Sequence, residues 1–182
     1  MKIIQMLPTL SHGDAVGNDT LAMDAILREA GYETLIFAEN IGPGMKAEDL
    51  RHISEWSEPA EDDVILYHMS TRWRYTSLIE NARCRKAAVY HNVTPPEFYE
   101  PYDFRSYTLC RGGVESVKSL RGTFDRVFAD SEFNRSDLES YGYTCPIDVL
   151  PILIPYGDYD EPADEAILHQ YGHGGAIAAD AS

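Results

Sequence analysis

The chain has 182 residues, 44% of them apolar and 25% charged, which suits one globular domain with its own hydrophobic core. Against 15 basic residues stand 30 acidic ones, a formal net charge of −15. Such a surface repels phosphate backbones and anionic headgroups, so nucleic acid is not an expected partner.

In chain order, Lys2 to Leu7 is apolar nearly throughout and predicts a first strand buried on both faces. From Asp14 the period changes: Val16, Thr20, Met23, Leu27 and Ala30 fall on one face of a helix, with Asp14 as its N-cap and Gly31 just past its end. Thr34 to Ala38 is the second strand. Ala47 to Trp56 predicts a helix turning Leu50 and Ile53 inward. Asp63 to His68 is the third strand, and Thr71 to Ala82 a helix. Lys86 to His91 is the fourth, followed by a loop rich in proline and aromatic residues from Asn92 to Tyr107. Val114 to Leu120 predicts a helix, Arg126 to Ala129 a fifth strand, Ser131 the cap of a helix ending at Gly142, and Ile147 to Leu150 a short sixth strand. Strands alternating with helices over short connections predict an α/β fold, a Rossmann-like doubly wound parallel sheet covered on both faces. That domain spans residues 1–155. Prolines and small residues dominate beyond it, so 156–182 reads as a linker and tail.

Cys84, Cys110 and Cys145 form no CxxC or metal-type spacing, which points to free thiols in a reducing compartment. The opening MKIIQMLPTL is no signal peptide, and no segment approaches the ~20 apolar residues of a membrane span. The expectation is a cytoplasmic protein without a transmembrane segment. Arg72, Arg74, Arg83, Arg85 and Lys86 make one local basic cluster, read as solvated helix faces and loop ends rather than a docking surface.

Ligands of a doubly wound sheet bind at the carboxyl ends of its strands. After the first strand, Gly13 and Asp14 open a helix whose first amides can approach an anion, although Gly13 reads equally as a turn glycine. No GxGxxG occurs, which disfavours a nicotinamide or flavin enzyme. His68 and His91 end neighbouring strands and are expected to share one crevice with the Gly13 loop. The ring of His91 is expected to reach that crevice from a rim, with little loss of stability on its removal. The histidine spacing supplies no third ligand, so no metal is expected. Asn92 and Thr94 lie on a rim stiffened by Pro95 and Pro96. Ser131 and Asn134 open a helix toward the crevice or form a plain cap.

Taken in order, Gly13-Asp14-Ala15-Val16-Gly17-Asn18-Asp19, Tyr67-His68, Tyr90-His91-Asn92-Val93-Thr94-Pro95, Asp130-Ser131-Glu132-Phe133-Asn134-Arg135 and Leu150-Pro151-Ile152 closely resemble bacterial glycosyltransferases of family 4, the group 1 retaining enzymes. The resemblance covers Met1 to about Asp164. It implies a GT-B architecture of two facing Rossmann-like domains, of which this is the N-terminal, acceptor-side one. It further implies sugar transfer from a nucleotide sugar to a glycan or other acceptor, with retention, no bound metal and no other cofactor. In that scheme His91 is catalytic and Gly13 and Asp14 lie near the donor phosphates. His68, Asn92, Thr94, Ser131 and Asn134 are the acceptor-binding candidates. The family's C-terminal donor-binding domain has no counterpart here, so the chain alone is expected to transfer no sugar. The alternative is a non-catalytic Rossmann-type module that binds a glycan or a protein.

Overall fold

The computed structural model describes residues 1–154 together with 162, 164 and 166–168; most of the expected linker and tail lies outside the described residues. Strand β1 (Lys2–Leu10) is buried from Ile4 through Pro8, as a central strand covered on both faces must be. Helix α1 (Ala15–Glu29) starts where the Asp14 carboxylate accepts the Gly17 N–H at 3.0 Å, and it leads back to β2 (Glu33–Ile41). The remaining elements are β3 (Leu50–His52), β4 (Val64–Met69), α2 (Thr76–Asn81), β5 (Arg85–Tyr90), α3 (Phe104–Ser119), β6 (Arg126–Ala129), α4 (Glu132–Ser140) and β7 (Ile147–Val149). Their strands form one sheet in the order β3-β2-β1-β4-β5-β6-β7, every neighbouring pair parallel. This is the Rossmann-like doubly wound sheet that the alternation predicts.

Side chains one residue apart on each strand enter opposite layers. Ile4, Met6, Ile65, Tyr67, Ala88, Tyr90, Val127 and Ala129 face one core, closed by Ile79 of α2, Val117 of α3 and Leu138 of α4. The opposite face is divided. Leu7, Leu10, Ile36 and Ala38 pack with Val16 and Leu21 of α1, while Leu66 and Val89 pack with Met23 of α1. Toward β6 this second group is closed by Leu150 and Leu153, from the segment that follows β7. β1 therefore sends its helix to one face and β4 sends its helix to the other. A crevice opens between the carboxyl ends of such strands, at the point where the winding reverses.

Three expectations are corrected. Residues 47–56 form no α-helix: Leu50, Arg51 and His52 pair with Ile36, Phe37 and Ala38 as a seventh strand. A single 3-10 turn at Ile53–Glu55 follows, its end tied by Glu55 Oε1 accepting the His52 N–H. The Leu50–Ile53 spacing that suggested a helix arises instead from a strand and the turn after it. The helix expected over 71–82 is confined to α2. The helix expected from Val114 starts ten residues earlier, where the Asp103 carboxylate accepts the Arg105 N–H at 2.9 Å. No helix among the described residues is long and apolar enough to cross a membrane.

Candidate functional site

The strand period decides where the polar side chains go. Gln5 shares the alternation of Ile3 and Leu7, His68 that of Leu66, His91 that of Val89, and Asp130 that of Phe128. All four therefore face the α1 side of the sheet, Gln5 from the middle of β1 and the others at or just past the carboxyl ends of β4, β5 and β6. There they form an unbroken row of contacts. Gln5 Oε1 lies 2.9 Å from His68 Nε2, His68 Nδ1 lies 2.9 Å from His91 Nε2, and His91 Nδ1 lies 3.1 Å from Asp130 Oδ2. At the far end, Gln5 Nε2 donates to the Thr20 carbonyl of α1 at 3.2 Å.

Asp19, one helical turn into α1, completes the group. Its Oδ1 accepts the Leu153 N–H at 2.7 Å, and its Oδ2 lies 3.9 Å from His91 Nε2. The side chains of Asp19, His91 and Asp130 are 0%, 2% and 9% exposed, and His68 has no exposed surface. Burial penalises the charged form of Asp19 and raises its pKa, opposed by the Leu153 N–H and by His91 and reinforced by Asp130. Burial, and then His91, hold His68 well below 6.5, so its ring is neutral. Two buried oxygens, Asp19 Oδ2 and Asp130 Oδ1, have no hydrogen-bond partner.

The histidine rings are nearly coplanar, their planes 10° apart and their centroids 5.2 Å apart. Because the facing nitrogens are so much closer than the centroids, the rings meet edge to edge. Asp19, His68 and His91 each bring one potential metal-ligand atom to within 4.8 Å of the others. The histidine spacing gave no sign of that third atom, which comes from α1. An ion held tetrahedrally by both imidazole nitrogens, at ~2.0–2.1 Å for each bond, sets them roughly 3.3–3.4 Å apart. At 2.9 Å the contact is a hydrogen bond instead.

The expected pairing of His68 and His91 is thus present, but the His91 ring is buried within the row rather than standing on a rim. Gly13 and Asp14 touch neither ring among the described contacts. Gly13 occupies a turn at φ +73°, and Asp14 is the cap of α1. From that segment it is Asp19 that reaches the histidines. Asn92 adopts φ +71° and its Oδ1 accepts the Val93 N–H at 2.7 Å, which fixes the chain direction just after His91. Thr94 is exposed on the loop beyond. Ser131 caps α4 by accepting the Asn134 N–H at 3.2 Å, and the buried Asn134 amide donates to the Tyr90 carbonyl at 3.4 Å. These two residues brace the strand ends and do not join the row. In the basic cluster, Arg74 pairs with Glu39, and Lys86 donates to the carbonyls of Glu80, in the last turn of α2, and of Ala82, just past it.

Fold and site together define a Rossmann-like α/β domain with a buried polar row at its winding reversal. No protein-family model matches the chain, and no curated protein matches it significantly.

Proposed function

We propose that the chain is the acceptor-side domain of a retaining, metal-independent glycosyltransferase, and that it transfers no sugar by itself. The observation that carries this reading is the pair of buried, unpartnered carboxylate oxygens, Asp19 Oδ2 and Asp130 Oδ1, beside the histidine pair at the carboxyl edge. Free acceptors call for a ligand rich in hydrogen-bond donors, and sugar hydroxyls are such donors. A nucleotide sugar's diphosphate calls for the opposite, positive charge or free amide donors. The row offers its carboxylates instead, and a second domain would hold the donor. The order of the sequence motifs supports the same assignment, with the roles shifted: Asp19 and Asp130 enter the site, and Gly13 and Asp14 become structural.

Chemical-shift mapping with a panel of oligosaccharides and with UDP- and GDP-sugars tests the proposal. Glycans are expected to perturb the amides around His91, Thr94 and Asp130, while nucleotide sugars bind at best weakly. Micromolar nucleotide-sugar affinity would overturn the division of roles. Tight NADH binding, or no glycan response at any concentration, would remove the chain from the class.

A further inference from the structure

The row from Thr20 to Asp130 has a direction, and a backbone carbonyl sets it. The Thr20 carbonyl can only accept, so Gln5 must turn its amide N–H toward it. The Gln5 oxygen then faces His68 Nε2 at 2.9 Å, which requires a hydrogen on that nitrogen. His68 has no exposed surface and, among the described hydrogen bonds, no carboxylate partner, so burial keeps it neutral with one N–H to give, and its Nδ1 is a lone pair. The 2.9 Å contact between the rings is therefore a hydrogen bond only if His91 Nε2 donates. On its other side, His91 Nδ1 meets a second acceptor, the Asp130 carboxylate, at 3.1 Å. One ring faces two acceptors, and a neutral imidazole has a single hydrogen. Reversing Gln5 would press its oxygen against the Thr20 carbonyl. Moving the His68 hydrogen to Nδ1 would set two acceptors against each other at Nε2, inside the sheet.

We infer that His91 is held as an imidazolium with both hydrogens committed, Nε2–H to His68 and Nδ1–H to Asp130, and that Gln5 and His68 are positioning residues that impose this state. The groups facing the ring agree with a cation. Asp130 from the end of β6 and Asp19 from α1 bring carboxyl groups to it, His68 from β4 is neutral, and Gln5 from β1 acts through His68. The inference goes beyond the sugar reading and holds whatever the ligand is. It also changes what His91 can do. With both nitrogens used, the ring holds Asp130 in place and leaves no nitrogen free for a ligand.

Nitrogen-15 NMR of the imidazole side chains reads this state directly in the full chain near neutral pH. Both His91 nitrogens are expected at the shifts of protonated imidazole nitrogens, with His68 protonated at Nε2 and bare at Nδ1. Gln5→Leu removes the acceptor that fixes the direction. In that variant the His68 hydrogen is expected to move to Nδ1, and His91 to become neutral with a bare Nε2, two changes in rings that were not substituted. A wild-type His91 with one protonated and one bare nitrogen overturns the inference. So does finding both facing nitrogens bare with an equivalent of divalent cation by elemental analysis, since the charge in the gap is then a metal. A folded Gln5→Leu with unchanged ring shifts removes the positioning role. Should that variant not fold, the wild-type spectrum alone decides the state of His91.

Discussion

Truncating His91 to alanine strands a partner on either side, the His68 lone pair and the Asp130 carboxylate, where water hardly reaches. Removing one half of a buried charged hydrogen bond costs about 2–3 kcal/mol, so His91→Ala is expected to lower the unfolding free energy by that amount in urea titrations. The rim position expected from the sequence implied a far smaller loss; the burial of the ring reverses that. His68 gives a pH signature with a definite sign. Its native ring stays neutral while the unfolded chain takes up a proton below about 6.5, so its contribution to stability is intact above that pH and is lost as pH falls. Between pH 7.5 and 5.5 the stability of the wild type relative to His68→Gln is expected to fall by about 1.4 kcal/mol, one proton's linkage over that interval. A difference that stays constant would mean that the native ring also takes up the proton.

At the scale of elements, α3 shows how closely a helix can approach when it carries no side chain. A Cβ added at Gly113 would meet Val93 Cγ1 at 3.0 Å, with the Arg72 backbone nitrogen at 3.6 Å. One added at Gly112 would meet only the Arg72 chain, its Cδ at 3.0 Å. Alanine gains about 1 kcal/mol over glycine within a helix, whereas overpacking a branched side chain loses ~1–3 kcal/mol. Adjacent substitutions are therefore expected to differ in sign. Gly112→Ala should raise the unfolding free energy by up to about 1 kcal/mol as the arginine swings aside, and Gly113→Ala should lower it by a similar amount. Thermal unfolding of the two variants side by side checks this. The same glycines explain why the sequence showed only the last third of α3: two helix-weakening residues hid the start set by Asp103. β3 was hidden for another reason. Its three residues carry no period of their own, and only pairing with β2 makes them a strand. The long buried strands and α1 were legible because burial on both faces, or on one stripe, writes itself into local pattern. In the site, the histidine pair was legible from its two strand ends. Gln5, Asp19 and Asp130 were not, though each left a trace: a polar residue inside an apolar strand, a carboxylate beside the buried stripe of a helix, and a carboxylate directly after a strand.

On the scale of the whole molecule, the segment after β7 ties the last part of the described chain to the first. Leu150 donates its N–H to the Ala129 carbonyl, and Leu153 its own to Asp19, 134 residues earlier in the sequence. Their side chains close the apolar floor of Leu66 and Val89 that α1 covers only in part. The last backbone contact of this segment thus rests on a carboxylate that also faces His91. Leu153→Pro removes that N–H and trims the packed side chain, and is expected to cost at least about 2 kcal/mol of stability, the usual worth of the hydrogen bond to a charged group alone. It should also loosen the protection of α1 against amide exchange around Asp19. Unchanged exchange there, with stability intact, would show that neither the Leu153 N–H nor its side chain seats the segment.

A run of groups in which every donor is answered by an acceptor also constrains inheritance. Exchange of Gln5 for an apolar residue forces both rings to change their hydrogens, and exchange of Asp130 for a basic one sets donor against donor at His91, because each member has committed its hydrogens to the next. Lineages that keep this sheet should therefore replace positions 5, 68, 91 and 130 as a set or leave them alone. The carbonyl that anchors them, being main chain, is the one participant that substitution never touches.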